Sequence, residues 1–245
     1  MMDDFPLMSN IPPITTEQMR EVDRLMIEEY GIALLQMMEN AGRCLAHLAR
    51  QRYLGQTQGR TVVVLAGTGG NGGGALVAAR RLQNYGAKVI IYTTREMNDF
   101  TPTAKHQLQI LLNMGVDVHF ATIPDTHILA DIILDGIIGY SLRGAPRGTA
   151  GELIHFANQH PAPTLALDTP SGLDTTTGIA NEPTINADAT LTLALPKRGL
   201  LVNSAVPYVG QLYLGDISIP PQLYSKLGLE IGAIFAQSDI VKLSH

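Results

Sequence analysis

Two aspartates close apolar runs of the chain: Ile132-Ile133-Leu134-Asp135 and Thr164-Leu165-Ala166-Leu167-Asp168. Both runs have the composition of strands buried in a sheet. In an open α/β sheet, ligands bind outside the carboxyl ends of the strands, in the crevice where strand order reverses. A single aspartate ending a strand is more often a turn residue bonded to local N–H groups. Two of them beside a third feature weigh toward a site. That feature is Gly67-Thr68-Gly69-Gly70-Asn71-Gly72-Gly73-Gly74, with six glycines in eight residues between a strand and a helix. Gly67, Gly69 and Gly72 satisfy G-x-G-x-x-G, a pattern that lets the backbone approach a pyrophosphate at a helix start. If the strand ending at Asp135 pairs with the one feeding the glycine loop, all three features converge on one crevice.

The chemistry available there is narrow. Asn71, Asp135 and Ser171 offer oxygen ligands only, which suits a hard cation, and a single carboxylate favours a monovalent ion over a divalent one. Asp168 is the candidate proton shuttle. Several alternatives lose ground. The strand after the glycine helix ends Tyr92-Thr93-Thr94-Arg95, without the acid that holds a ribose in ordinary NAD dehydrogenases. The Walker-type Gly-Lys-Ser/Thr clamp is absent, and Ser171 follows a proline with no evident histidine to make it a nucleophile. Lys197-Arg198 reads equally as a phosphate contact or a surface charge pair. Glu39 is by default on a solvated face, and Cys44 is small core filler.

The elements that must position these residues follow from hydrophobic period. Thr15 caps a helix with Gln18 three residues on, and Met19, Val22, Leu25 and Met26 follow at helical spacing. A second helix is expected over 32–53. Strands are expected over 61–66, 88–93, 116–120, 132–135, 164–168, 189–195 and 211–219, with helices over 75–85, 101–114 and 149–159. This alternation specifies an α/β fold: a doubly wound, mostly parallel sheet in a Rossmann-like three-layer sandwich, with two leading helices. Residues 1–13, with Pro6, Pro12 and Pro13, read as a flexible arm before one domain spanning 14–245. The 245 residues carry 22 acidic and 17 basic side chains, a net charge of −5. That balance argues against a nucleic-acid partner. No apolar run reaches membrane-spanning length, and the start lacks the basic and apolar regions of a signal peptide. One cysteine suggests a reducing compartment, so a cytoplasmic location is expected.

These residues resemble the NAD(P)H-hydrate epimerase family, the YjeF N-terminal domain, from about Thr16 to Leu201. Met19-Arg20-Glu21-Val22-Asp23 and Met38-Glu39-Asn40-Ala41-Gly42 look like its opening helices. Residues 67–82 look like its glycine loop, usually GxGNNGGDGLVAARxL. Ile133-Leu134-Asp135-Gly136, Asp168-Thr169-Pro170-Ser171-Gly172-Leu173-Asp174, and Ala187-Asp188-Ala189-Thr190 leading to Pro196-Lys197 are similar to its later signatures. The resemblance implies an isomerase that interconverts the R and S epimers at C6 of hydrated NADH and NADPH. A separate S-specific dehydratase would then complete the repair, since the fused dehydratase domain of bacterial relatives is not seen here. It implies a potassium ion held by Asn71, Asp135 and Ser171, with no tightly bound organic cofactor. Substrate contacts would come from Gly70, Asn71, Gly72, Gly73, Gly74, Gly139, Tyr140, Ser141, Leu142, Arg143, Gly144, Ala145 and Asp168, with Arg143 placed to meet a phosphate. Asp168 would act as acid–base group, through loss of hydroxide or ring opening and re-addition from the other face. A homodimer is expected. One departure stands out: the family aspartate is Gly74 here. That leaves a rival reading, a catalytically silent module that binds a nucleotide-like ligand and dimerises, as in a related RNA-decapping scaffold.

Overall fold

Nine strands form one sheet in this computed structural model, which describes residues 4–244. In chain order they are β1 (Leu7–Met8), β2 (Thr61–Ala66), β3 (Lys88–Thr93), β4 (Asp117–Phe120), β5 (Ile132–Gly136), β6 (Thr164–Leu167), β7 (Ala189–Leu193), β8 (Gln211–Gly215) and β9 (Ile240–Leu243). The spatial order is β1-β9-β8-β7-β6-β5-β2-β3-β4. All pairings are parallel except β8 with β9. The chain winds outward from β2 through β3 to β4, then returns to lay β5 on the other side of β2, with Leu65 opposite Asp135. The order therefore reverses between β2 and β5, and the glycine loop and Asp135 flank that crevice, as the doubly wound pattern requires.

The β-branched run of β2 explains its central place. Val62, Val64 and Ala66 join a core with the helices α1 (Thr16–Glu28), α2 (Leu34–Ala49), α3 (Gly70–Asn84) and α4 (Pro102–Asn113), while Val63 and Leu65 join a second core under α5 (Thr149–Gln159). Period-two alternation thus feeds both faces, and each face is covered by helices, so an apolar run rather than an alternating one is what the strand needs. A third apolar cluster lies toward the β8–β9 end, and two short helices, α6 (Val206–Val209) and α7 (Pro221–Lys226), flank β8 in the chain.

Local signals set several boundaries. Thr15 caps α1 as expected: its Oγ1 accepts from the Gln18 N–H at 3.1 Å, and the Gln18 side chain accepts from the Thr15 N–H at 2.9 Å. α2 packs so closely on α3 that a Cβ at Gly42 would lie 2.4 Å from Val77 Cβ. Three expectations need correction. α2 ends at Ala49 and passes into a wider π-type turn, Arg50–Leu54, instead of running on to 53. α3 starts at Gly70, not at 75, because a buried, packed first turn overrides the poor helix propensity of glycine. Within the segment read as a flexible arm, Leu7–Met8 pairs with β9, and Phe5 packs edge-on against Tyr213. The part of that arm before Asp4 lies outside the described residues. Among the described residues, no helix is long and apolar enough to cross a membrane.

Candidate active site at the strand ends

Asp168 leaves β6 in the left-handed region, with φ +66. Aspartate tolerates that conformation better than most residues, and it turns the side chain back over the sheet edge. One carboxylate oxygen accepts from the Tyr140 backbone N–H at 3.2 Å, and the other meets the ammonium of Lys197. Lys197 has no solvent exposure, and its ammonium also donates to Leu193 O at 2.9 Å and Thr192 Oγ1 at 3.3 Å. The lysine read as a phosphate contact or surface charge is therefore a buried, fully partnered cation. The chain brings it in by pairing Ile14 beside it: Ile14 N–H donates to Pro196 O at 2.9 Å, and Arg198 N–H to Ile14 O at 3.1 Å. Arg198 on the next position remains exposed.

Asp135 and Ser171 form a different arrangement, wholly buried between the ends of β5 and β6. The Asp135 carboxylate accepts from Ser171 Oγ at 2.6 Å, from the Ser171 N–H at 2.8 Å and from the Ile137 N–H at 3.1 Å. Ser171 Oγ in turn accepts from the Ile138 N–H at 2.8 Å, which ties the loop after β5 to the turn after β6. Burial pushes the Asp135 carboxyl up to about 6, against the pull of its hydrogen bonds. No lysine, arginine or histidine within ion-pair distance of it is found among the described residues. A buried carboxylate normally has a counter-charge. Asn71, on the first turn of α3, has its side-chain Nδ2 buried without a hydrogen-bond partner. Amide N and O are exchangeable assignments, so this position serves equally well as an oxygen awaiting a positive group. The amide, hydroxyl and lone carboxylate thus fit a monovalent cation. No cluster of three or more His, Cys, Asp or Glu that would hold a divalent metal occurs among the described residues.

A cavity of about 260 Å³ opens over Asp168, lined on its polar side by Gly70, Asn71, Gly139, Tyr140, Ser141 and Asp23. Its apolar wall comes from α1 and α2, chiefly Met19, Leu34, Met37 and Met38, so the two leading helices close the site instead of only covering the sheet. Sequence reading missed Asp23. The Tyr140 hydroxyl donates to it across 117 residues of chain, and only the Met19-to-Asp23 phrase on one face of α1 could have flagged it. Burial pushes both the Asp23 carboxyl and the Tyr140 phenol up. Of the expected contact residues, Gly72, Gly73 and Gly74 lie buried inside α3 and do not line this cavity. A Cβ at Gly72 would sit 1.8 Å from Gly67 O, so only glycine lets the loop close on its helix. Leu142, Arg143, Gly144 and Ala145 line a neighbouring cavity instead, which Ser141 shares.

Residues 34–199 match the family model described as YjeF-related protein N-terminus. The chain is 44% identical, over 90% of its length and 87% of the relative's, to an NAD(P)H-hydrate epimerase of Dehalogenimonas lykanthroporepellens. It is 33% identical to the NAD(P)H-hydrate epimerase of Rhodopirellula baltica, over 87% of each chain. The chain belongs to the NAD(P)H-hydrate epimerase family. A bifunctional NAD(P)H-hydrate repair enzyme of Moorella thermoacetica is 35% identical over 86% of this chain and 41% of that longer protein. The crystal structure of yeast ynu0 has the same fold, with a TM-score of 0.79 at 24% identity over 95% of this chain and 100% of that one.

Gly74 is the position at which the resemblance to the family leads to an aspartate. A Cβ at this position would meet Leu167 Cδ2 at 2.8 Å and Ala41 Cβ at 3.6 Å, and both residues line the cavity. Apolar side chains have closed over the place where that carboxylate would begin. Glu39, another residue of the family phrase, is partly exposed, lies outside the site and is ion-paired to Arg80. Burial works against its charge, but hydrogen bonds from Arg80 and Gln107 outweigh it and hold the carboxyl below its usual range. It ties α2 to α3 and α4.

Proposed function

We propose that this chain is an NAD(P)H-hydrate epimerase, interconverting the R and S epimers at C6 of hydrated NADH and NADPH. The observation that carries the reading is the Asp168–Lys197 ion pair, whose carboxylate lines a cavity of about 260 Å³, in a chain so similar to named epimerases. C6 of the hydrated ring bears a hydroxyl and is bonded to the ring nitrogen. Asp168 takes the hydroxyl proton, the oxygen lone pair forms the C6 carbonyl, and the C6–N1 pair leaves on nitrogen, where it delocalises into the ring carboxamide. Rotation about C5–C6 presents the other face. Nitrogen re-adds, and Asp168 returns the proton. No redox equivalent and no net water is consumed, so the protein supplies orientation and one proton site.

Each remaining residue has a part in that scheme. Lys197 fixes the Asp168 carboxylate, and the Tyr140 N–H orients it. The Asp23–Tyr140 pair closes the polar rim, and the α1–α2 methionines exclude water from the ring. Asn71, Asp135 and Ser171 would hold a potassium ion. When bound, it supplies the positive charge that the buried Asp135 lacks and stiffens the two loops around Asp168. The free first-turn N–H groups of α3, with no capping side chain, suit the substrate pyrophosphate. A separate S-specific dehydratase would consume the product, and the protein would work as a homodimer in the cytoplasm.

Gly74 supports a second reading, a module that binds the nucleotide and has lost turnover. Incubation of purified R hydrate with the protein, followed by chromatographic separation of the epimers, decides between them. Relaxation to the equilibrium mixture faster than the spontaneous rate supports the enzyme. A folded protein that binds the hydrate without accelerating relaxation, and gains turnover as Gly74→Asp, supports the module.

A further inference from the structure

The second cavity, about 440 Å³ and adjoining the first at Ser141, is lined by Arg95, Arg143 and Arg147. All three side chains are exposed, and among the described residues none of their guanidinium groups makes an ion pair or hydrogen bond. Three unpaired cations facing one concavity repel each other, and such an arrangement is relieved by a bound anion. Their origins are independent. Arg95 follows β3, two residues past its end, while Arg143 and Arg147 sit in the segment between β5 and α5. Arg95 occupies the position where a dinucleotide fold places an acid for a free ribose 2′-hydroxyl, and where an arginine nearby accommodates a 2′-phosphate. The rim is completed by Ala150 in the first turn of α5, whose Gly148 cap supplies no side-chain partner to the helix N–H groups.

We propose that this cavity is a subsite for the ribose 2′-phosphate, so that the protein favours the hydrate of NADPH over that of NADH. The inference rests on the reading of the first cavity as the hydrated-ring site, and it names the specificity of that reading. The pyrophosphate then spans from the start of α3 toward the Ser141 junction. The phosphomonoester enters the arginine cavity, where planar guanidinium groups match its oxygens in pairs.

The test is calorimetric titration with adenosine 2′,5′-bisphosphate and with 5′-AMP, which differ only in the 2′-phosphate. Adenosine 3′,5′-bisphosphate and inorganic phosphate serve as arms for charge without the right position. The wild type is expected to bind the 2′,5′-bisphosphate at least about tenfold more tightly than 5′-AMP, with a smaller gain for the 3′,5′ isomer. In an Arg95→Ala/Arg147→Ala double variant the ratio should fall to near one. Lys88→Ala, which removes an exposed charge at the opposite end of β3, should leave it. Equal affinities in the wild type, an equal gain for both bisphosphates, or a ratio unmoved by the double variant would overturn the subsite. Failure of the underlying reading looks different. A protein that prefers the 2′-phosphate but does not epimerise keeps the subsite and loses the enzyme. One that epimerises both hydrates with equal kcat/KM keeps the enzyme and loses the subsite.

Discussion

Asp135 and Asp168 lie at the ends of neighbouring strands, are both buried and flank the same Ser171 turn, yet their surroundings are opposite. Asp168 meets a buried ammonium, and Asp135 meets only neutral donors. The first arrangement is a buried ion pair whose carboxylate lines the cavity. The second is an unbalanced charge in a closed space, which burial raises to about 6. In the proposed reading a bound cation supplies the balance, with the unpartnered Asn71 amide as a further ligand. In the proposed scheme Asp168 does the proton chemistry, and Asp135 helps to hold an ion that steadies the loops around it.

The comparison can be broken most directly at Asp168. Asp168→Asn should lower the epimerisation rate by about 10²–10⁴-fold, the range of a lost general base. A loss below tenfold would remove it from the chemistry. Next in size is the ion pair itself. Lys197→Met leaves a buried carboxylate uncompensated and should cost about 3–5 kcal/mol, read as a fall in the urea midpoint at unchanged slope. A cost under 1 kcal/mol would mean the pair is not desolvated.

At Asp135 the effect should depend on the ion. Potassium at about 100 times its Kd should stabilise the wild type by about 2.7 kcal/mol, while Asp135→Asn should gain nothing from it. An equal gain in both proteins would place the ion elsewhere. Gly74→Asp sets a carboxylate against Leu167 and should cost about 1–3 kcal/mol, as overpacking does, measured by thermal unfolding. The smallest effect is a control on burial alone. Burial pushes the Cys44 thiol up to about 12, so at pH 8 it should remain protonated and resist alkylation until urea unfolds the protein.

Much of this was legible in the sequence because it is written in local runs. The β-branched stretch over 61–66, the glycine loop after it and the aspartates at 135 and 168 follow from strand composition and the rule for strand ends. What sequence could not show depends on distant partners. Lys197 follows a proline and precedes an arginine, which reads as surface until Ile14 pairs beside it and turns it inward. Asp23 is one polar residue on an amphipathic helix until Tyr140 reaches it. The start of α3 was misplaced because glycine propensity argues against a helix where buried packing demands one. β9 was not anticipated, since Ile240–Leu243 is short and pairs antiparallel to a sheet whose other long pairings are parallel.

The central claim is that the two aspartates divide the work, proton at Asp168 and ion at Asp135. The most direct test is epimerisation of R-configured hydrated NADH, coupled to an S-specific dehydratase in excess, in potassium and in sodium buffer. Wild type, Asp168→Asn and Asp135→Asn would be run side by side. The account expects the wild type to turn over faster in potassium, Asp168→Asn to be inactive in both, and Asp135→Asn to keep a low rate that no longer distinguishes the two ions. A fully active Asp168→Asn, or an Asp135→Asn that still responds to potassium, would contradict it.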